Sequence, residues 1–331
     1  MSKRILITGL NGFIGHHVAE HFLKNSDCEI VGLDRIDATS TLHRLRWIEN
    51  WKEVSGRVKF VWHDLRAPIN ASVSKELGPI DVALHLAAST HVDRSITDPL
   101  DFVYDNVIGT AHMLEWARSR EKPLDLFINF STDEVFGPAG EEQQYREWDR
   151  FNSGNPYAAT KAGAEQIACA YANTYGLRIL TTFTMNVFGE RQHPEKFIPN
   201  TISKVSRGEI VVIHSNKDRT KSGSRFYLHA SNVGRALEHL VESRPRERYD
   251  RYNIVGEREV SNLEMAQMIA DILGKPLKYE LVDFHSSRPG HDLRYALDGK
   301  KLSDEGFSHA LSLEKSLEKT VQWYLTHEEW L

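Results

Sequence analysis

Short apolar runs and amphipathic stretches alternate through the first half of the chain. Arg4–Thr8, Glu29–Asp34, Val58–His63, Asp81–Ala87 and Leu126–Ser131 have strand length and β-rich composition. Between them, Phe13–Lys24, Pro99–Arg120 and Pro156–Tyr175 repeat apolar positions at helical spacing. This alternation predicts an α/β fold, a doubly wound parallel sheet with helices on both faces. Right-handed crossovers then gather the loops leaving the strands' carboxyl ends along one edge, where ligands bind.

The texture changes after about Asn186. Elements become shorter, Gly and Pro punctuate them, and a basic loop, SNKDRTKSGSR, occupies Ser215–Arg225. One helix opens with a Ser-x-x-Glu capping box, Ser261 to Glu264. Residues 1–186 are therefore expected to form the sheet domain and 187–331 a smaller α/β domain, with parts of 228–256 returning to the first. The 40% hydrophobic fraction supplies a sizeable core and excludes a disordered chain. No apolar run approaches the ~20 residues of a membrane span. MSKRILITGL lacks the apolar core of a secretory signal, and two cysteines, Cys28 and Cys169, are too few for a disulfide framework. A cytoplasmic protein is expected. A net charge of −5 offers no footprint for nucleic acid.

TGLNGFIG places Gly9, Gly12 and Gly15 between the first strand and the first helix. Glycines there permit a tight turn and close backbone approach, and the helix N-terminus offers unpaired N–H groups to a pyrophosphate. Asp34 ends the second strand, where an acid accepts hydrogen bonds from an adenosine ribose. Together they point to a Rossmann-type domain. Asp34 would repel a 2′-phosphate, favouring NAD over NADP, although Arg35 follows it. Asp64 follows the third strand and suits either an adenine contact or a turn cap.

Tyr157 and Lys161 stand four apart at the start of a helix, on one face, with Pro156 at its first turn. A neighbouring ammonium and a nicotinamide cation would draw the phenol's pKa down from ~10 and make it a workable base. With Ser131-Thr132 at a strand end and TGLNGFIG at the start, this pair resembles the extended short-chain dehydrogenase/reductases. Directly after the fifth strand comes STDEVFG, with Asp133 and Glu134 adjacent at the ligand edge. Two neighbouring carboxyls driven to different pKa values supply one acid and one base. Hydride transfer alone has no need of them, whereas a dehydration does.

STDEVFG, HLAASTHVDRSI, DNVIGT, NPYAATKAGAE, FGERQHPEKFIP and SRPGHDLRYALD, in this order over nearly the whole chain, resemble the dTDP-glucose 4,6-dehydratase family. That resemblance implies a homodimer, paired through the helices at Pro99–Arg120 and Pro156–Tyr175, with tightly held NAD. It would convert a nucleotide-diphosphate hexose to the 4-keto-6-deoxy sugar. Thr132, Asp133, Glu134, Tyr157 and Lys161 would be catalytic. The cofactor would contact Gly9, Gly12, Phe13, Ile14, Gly15, Asp34, Asp64, Leu65, Ala87, Ala88, Ser89, Asn106, Tyr157, Lys161 and Val187. The nucleotide sugar would contact His91, Thr132, Asn186, Lys196, Phe197, Ile198, Pro199, Arg225, Arg288 and His291.

The chain departs from the family at Arg225-Phe226-Tyr227-Leu228-His229-Ala230-Ser231-Asn232, and Ser89-Thr90 stand where Glu-Ser is common. The base and the hexose therefore stay open, with dTDP-glucose leading. A nucleotide-sugar epimerase or decarboxylase shares the fold and oxidises carbon 4, but gives no reason for Asp133-Glu134. A silent dinucleotide sensor could dispense with all four chemical groups. His17-x-x-Glu20-His21 spells a zinc-peptidase pattern on the helix leaving the glycine turn, with no third ligand evident, and no metal is expected. Trp47, Trp51 and Trp62 are expected to fill core.

Overall fold

The computed structural model describes residues 2–35, 43–243, 247–283 and 293–331. The first six strands are β1 (Arg4–Thr8), β2 (Glu29–Asp34), β3 (Val58–Trp62), β4 (Val82–His85), β5 (Leu126–Thr132) and β6 (Ile179–Thr184). With the strand Tyr249–Ile254 they form one seven-stranded sheet in the order Tyr249–Ile254, β6, β5, β4, β1, β2, β3. Every neighbouring pair is parallel. β4, β5 and β6 are buried along their whole length, as strands covered on both faces must be. Ile5, Ile7, Ile30, Val82 and Ile128 pack on one side with Val18 and Phe22, and Leu6, Val31, Leu33, Ala83 and Phe127 on the other with Met113 and Leu114. Rossmann-type topology follows from those two packed faces.

Beyond β6 the chain leaves the sheet and returns to it at Tyr249–Ile254, which pairs with β6 over six residues. The rest of the C-terminal half pairs in short ladders. Val211–Ser215 lies parallel to Tyr279–Asp283, and Ser224–Arg225 antiparallel to Val260–Ser261. Helices Phe197–Arg207, Asn262–Leu273 and Leu313–Thr326 bury Ile198, Ile202, Met265, Ile269 and Leu317 together. The Ser261 hydroxyl caps the second of these by accepting from the Glu264 N–H at 3.0 Å. In the basic loop, Lys221 pairs with Glu141 at 2.7 Å. Among the described residues no helix is long and apolar enough to cross a membrane.

Three expectations change. The helix over Pro99–Arg120 is wound in three pieces: Pro99–Phe102, a π-helical turn Val103–Ile108, and Gly109–Arg118. A π turn carries an extra residue, and here Asp105 and Asn106 both reach partners on the loops outside the sheet. β4 stops at His85 rather than Ala87, because the Ala87 N–H donates to Thr8 Oγ1 at 3.0 Å and its backbone presses on the glycine turn. Trp47 and Trp62 are 42% and 44% exposed, so neither fills core. Trp47 sits edge-on to Trp323, and Trp62 stacks on Phe60 of the edge strand.

The turn explains its glycines. Gly9 has φ +70°, and a Cβ there would lie 2.9 Å from Ala87 Cα. A Cβ on Gly15 would lie 2.1 Å from the Gly9 carbonyl oxygen, inside contact distance, so the first helix could not pack this closely on the turn. Gly15→Ala should therefore destabilise the fold by about 1–3 kcal/mol through overpacking, read as a lower urea midpoint at unchanged slope.

Candidate active site

At the carboxyl edge of β1 and β2 the first helix begins at Phe13 with no side chain capping it. Its free N–H groups and the glycine turn make a ready anion site. Phe13 and Ile14 are partly exposed there. Asn11 lies in the same turn, 1% exposed, and neither end of its carboxamide has a hydrogen-bond partner. Asp34 accepts from the Asn11 N–H at 2.8 Å through one oxygen and from the Arg35 N–H at 2.8 Å through the other. A cradle that a Cβ would fill, an uncapped helix start and orphaned carboxamide atoms fit a dinucleotide.

Asp64 accepts from the Arg66 N–H at 2.9 Å, a turn-capping contact, and Leu65 is buried in the core beside it. Ala87, Ala88 and Ser89 follow β4 and are partly exposed. Asn106 is buried. Its Oδ1 accepts from the Ser89 N–H at 2.8 Å, while its Nδ2 donates to the Ser89 carbonyl and the Thr160 hydroxyl, both at 3.0 Å. It holds Ser89 in place.

Asp105 escapes the motif reading. Arg35 grips it with two nitrogens at 2.8 and 2.9 Å, and Arg66 and Ser89 each donate to it at 2.6 Å. Burial would raise this carboxyl, but those three donors outweigh it and hold the pKa at about 2. Arg35 is thereby engaged by a carboxylate beside Asp34, which adds to the case against a 2′-phosphate. No local signal could reveal it, since Arg35 lies 70 positions away.

The reactive groups converge where β5 ends. Thr132 closes the strand, Asp133–Phe136 form one 3₁₀ turn, and the Asn155-capped helix Pro156–Tyr175 packs against both. The Thr132 hydroxyl donates to Asp133 Oδ1 at 3.0 Å and also bonds the Tyr157 phenol. Lys161, 4% exposed, donates to the Phe130 carbonyl at 2.6 Å. Burial lowers its ammonium to about 8. Burial also raises the phenol, with Glu134 and Asp133 adding to the rise and Thr132 opposing it. The expected lowering of Tyr157 is thus absent from the protein's own groups, because burial raises the phenol and the two acids facing it add to the rise.

Asp133 is 5% exposed and its Oδ2 has no partner. Burial first, and Glu134 beside it second, push it up to about 7, against the pull of Arg225 and the Thr132 bond. Glu134 is partly exposed and is also raised by burial, opposed by a hydrogen bond from Asn155 and by Arg225 and Lys196. Two adjacent carboxyls with a protonated form accessible near neutrality suit acid–base work.

The expected nucleotide-sugar residues divide. Arg225 is buried, donates to the Leu293 carbonyl at 2.6 Å and lies over the Tyr295 ring, close enough to affect both acids. Exposed Lys196 precedes the helix at Phe197 and influences Glu134 and His91. His91 is partly buried, with Nδ1 unpartnered and Nε2 3.8 Å from Glu195. The Asn186 side chain is exposed and Val187 partly so. Ile198 is 2% exposed with its side chain inside the apolar cluster, and Pro199 is buried next to it. Phe197 stacks on Tyr227. Arg288 and His291 lie outside the described residues. The histidines of the zinc-like pattern are used separately, His17 on the Glu190 carbonyl and His21 on Glu238.

The sequence pattern of GDP-mannose 4,6 dehydratase matches residues 6–320. The chain belongs to this family. It is 34% identical to a dTDP-glucose 4,6-dehydratase of Escherichia coli, over 99% of this chain and 95% of that one. It is 36% identical to a trifunctional UDP-glucose 4,6-dehydratase/UDP-4-keto-6-deoxy-D-glucose 3,5-epimerase/UDP-4-keto-L-rhamnose-reductase of Arabidopsis thaliana, over 99% of this chain and 48% of that one. The chain thus spans about half the length of the trifunctional relatives. A solved dTDP-glucose 4,6-dehydratase from Streptomyces venezuelae, a double mutant with NAD bound, superposes with a TM-score of 0.85 at 30% identity, covering 99% of this chain and 98% of that one.

The Asp105 cluster carries a pH signature. A depressed folded-state pKa contributes stability that is present above the unfolded value near 3.8 and lost as pH falls towards 2. Both guanidiniums are about one-third exposed, so screening limits the effect to about 2 kcal/mol or less. Asp105→Asn should remove that pH-dependent component from thermal melts between about pH 4 and 2.

Proposed function

We propose that this chain is an NAD-dependent nucleotide-hexose 4,6-dehydratase, with dTDP-glucose the leading substrate. One observation carries the reading: a buried Asp133 with an unpartnered oxygen and a pKa near 7 stands beside Glu134, across from Tyr157. The family and its dTDP-glucose dehydratase relatives support it. In this reading the sheet domain holds the dinucleotide and the part beyond residue 187 the nucleotide sugar. Bound NAD supplies the hydride acceptor for carbon 4 and the hydride returned at carbon 6.

Tyr157 takes the proton of the 4-hydroxyl, with Thr132 hydrogen-bonded to its phenol and Lys161 one turn behind. Burial and the two acids raise the phenol while Thr132 opposes them, and a bound nicotinamide cation would supply the positive charge that favours phenolate. The ketone at carbon 4 acidifies the hydrogen on carbon 5, which Glu134 removes. Asp133, protonated below about pH 7, gives its proton to the departing 6-hydroxyl. Water leaves, Glu134 returns its proton to carbon 5 as carbon 6 receives a hydride, and the sugar ends as a 4-keto-6-deoxy hexose with no net redox change. Lys196 and Arg225 bring positive charge to the diphosphate.

Residues Ile96, Leu100, Val103 and Tyr104 expose apolar surface on the segment leading into and through the π turn, Leu100 by 66%. We further infer that a second copy covers them, giving a homodimer. Leu100→Arg should halve the mass measured by light scattering if so. Two unpaired thiols, Cys28 and Cys169, suit the reducing cytoplasm.

Asp133→Asn should slow water loss by about 10²-fold or more while oxidation at carbon 4 persists. Wild-type product formation should fall as pH rises through about 7, because Asp133 then loses the proton it must give. Product mass, lower by one water than the substrate, decides the reaction. An unchanged mass with inverted configuration would instead mean epimerisation.

A further inference from the structure

Glu134 needs a partner that can hold a carboxylate without neutralising it. Asn155 stands across from it, 6% exposed, at the last extended position before the helix that carries Tyr157 and Lys161. Its Oδ1 accepts from the Ala158 N–H at 2.9 Å and caps the helix, and its Nδ2 donates to Glu134 Oε2 at 3.0 Å. The two contacts fix the amide's orientation, because a flip would set N–H against N–H at Ala158 and oxygen against oxygen at Glu134. A plain N-cap needs only the first of these bonds, and Ser, Thr or Asp would make it equally well. The second requires a carboxamide.

We infer that Asn155 is a positioning residue for Glu134, tying the base of the elimination to the helix that holds Tyr157 and Lys161. This rests on the dehydratase reading above. The bond engages one carboxylate oxygen and favours the ionised form, since a donor stabilises charge that burial would otherwise remove. The other charged and titratable groups facing Glu134 are Asp133 on its own turn, Tyr157 on the helix, Arg225 from its short strand and Lys196 before the Phe197 helix. Of these, Arg225 and Lys196 are placed to meet the diphosphate. Asn155 is the neutral contact, so substrate charge leaves its effect on the base in place.

The test compares Asn155→Ser and Asn155→Asp with wild type. Both replacements keep the helix cap, so thermal melts should stay close to wild type. Ser is too short to reach Glu134, and Asp sets a like charge against it. For Asn155→Ser, kcat for water loss should fall about tenfold or more with KM nearly unchanged, and the acid limb of the pH profile should move up. The rate of oxidation at carbon 4, followed by the absorbance of reduced nicotinamide in a single turnover, should hold. Asn155→Asp should move the acid limb further in the same direction. An acid limb superposable on that of wild type, or oxidation slowed as much as water loss, would overturn the inference and leave Asn155 a cap alone. Failure of wild type to release water from any nucleotide hexose would instead sink the dehydratase reading, a result the variants do not affect.

Discussion

The site depends on shielding two neighbouring acids from bulk water at the end of one strand, Asp133 more fully than Glu134. Asp133 and Glu134 follow β5 in a single 3₁₀ turn, and burial raises both. Left alone, such a pair would share a proton unpredictably. Here their surroundings differ. Asp133 has the Thr132 hydroxyl on one oxygen and nothing on the other, whereas Glu134 has a carboxamide donor and partial access to solvent. The same burial that favours a protonated Asp133 also raises the Tyr157 phenol, so the acid pair and the phenol pull against each other through space.

Rigidity around the edge comes from amide and ionic clamps reaching out of helices into loops. Asn106 holds Ser89 from both sides and touches Thr160, one turn from Tyr157. Ser95 accepts from the Tyr157 N–H, an otherwise open donor at the helix start. Asp105 gathers Arg35, Arg66 and Ser89 from the ends of three strands. These contacts fix backbone that the glycine turn, with its missing side chains, leaves free to approach. The π turn carries Asp105 and Asn106, and both meet Ser89, one at its hydroxyl and the other at its backbone.

A second hub joins the first helix to the C-terminal half. Glu190 accepts from His229 and pairs with Lys319, while its carbonyl meets His17. Burial would raise the Glu190 carboxyl, but the hydrogen bond from His229 and the nearby Lys319 ammonium help hold it well below the ordinary range. Arg191, at φ +65°, reaches Glu20 and the Trp47 carbonyl. His17 and His21, which on paper spell a metal motif, serve as hydrogen-bond partners in this packing.

Local chemistry was enough to read the alternating elements of the sheet domain, the glycine turn with Asp34, the Tyr157–Lys161 pair and the Asp133–Glu134 step after β5. Each depends on a short-range rule: side-chain period, left-handed backbone, helical spacing, adjacency. The return of Tyr249–Ile254 to the sheet edge could be suspected but not aligned, because strand pairing is set by packing on both faces. The Ile198 side chain lies in the apolar cluster, a placement that a helix start alone does not reveal, because it gives little to tell which face meets the core. Asp105 and the carboxamide bond of Asn155 needed the fold itself. Their partners lie 70 and 21 positions away, and only tertiary structure brings such groups within the 3 Å where a hydrogen bond has any strength.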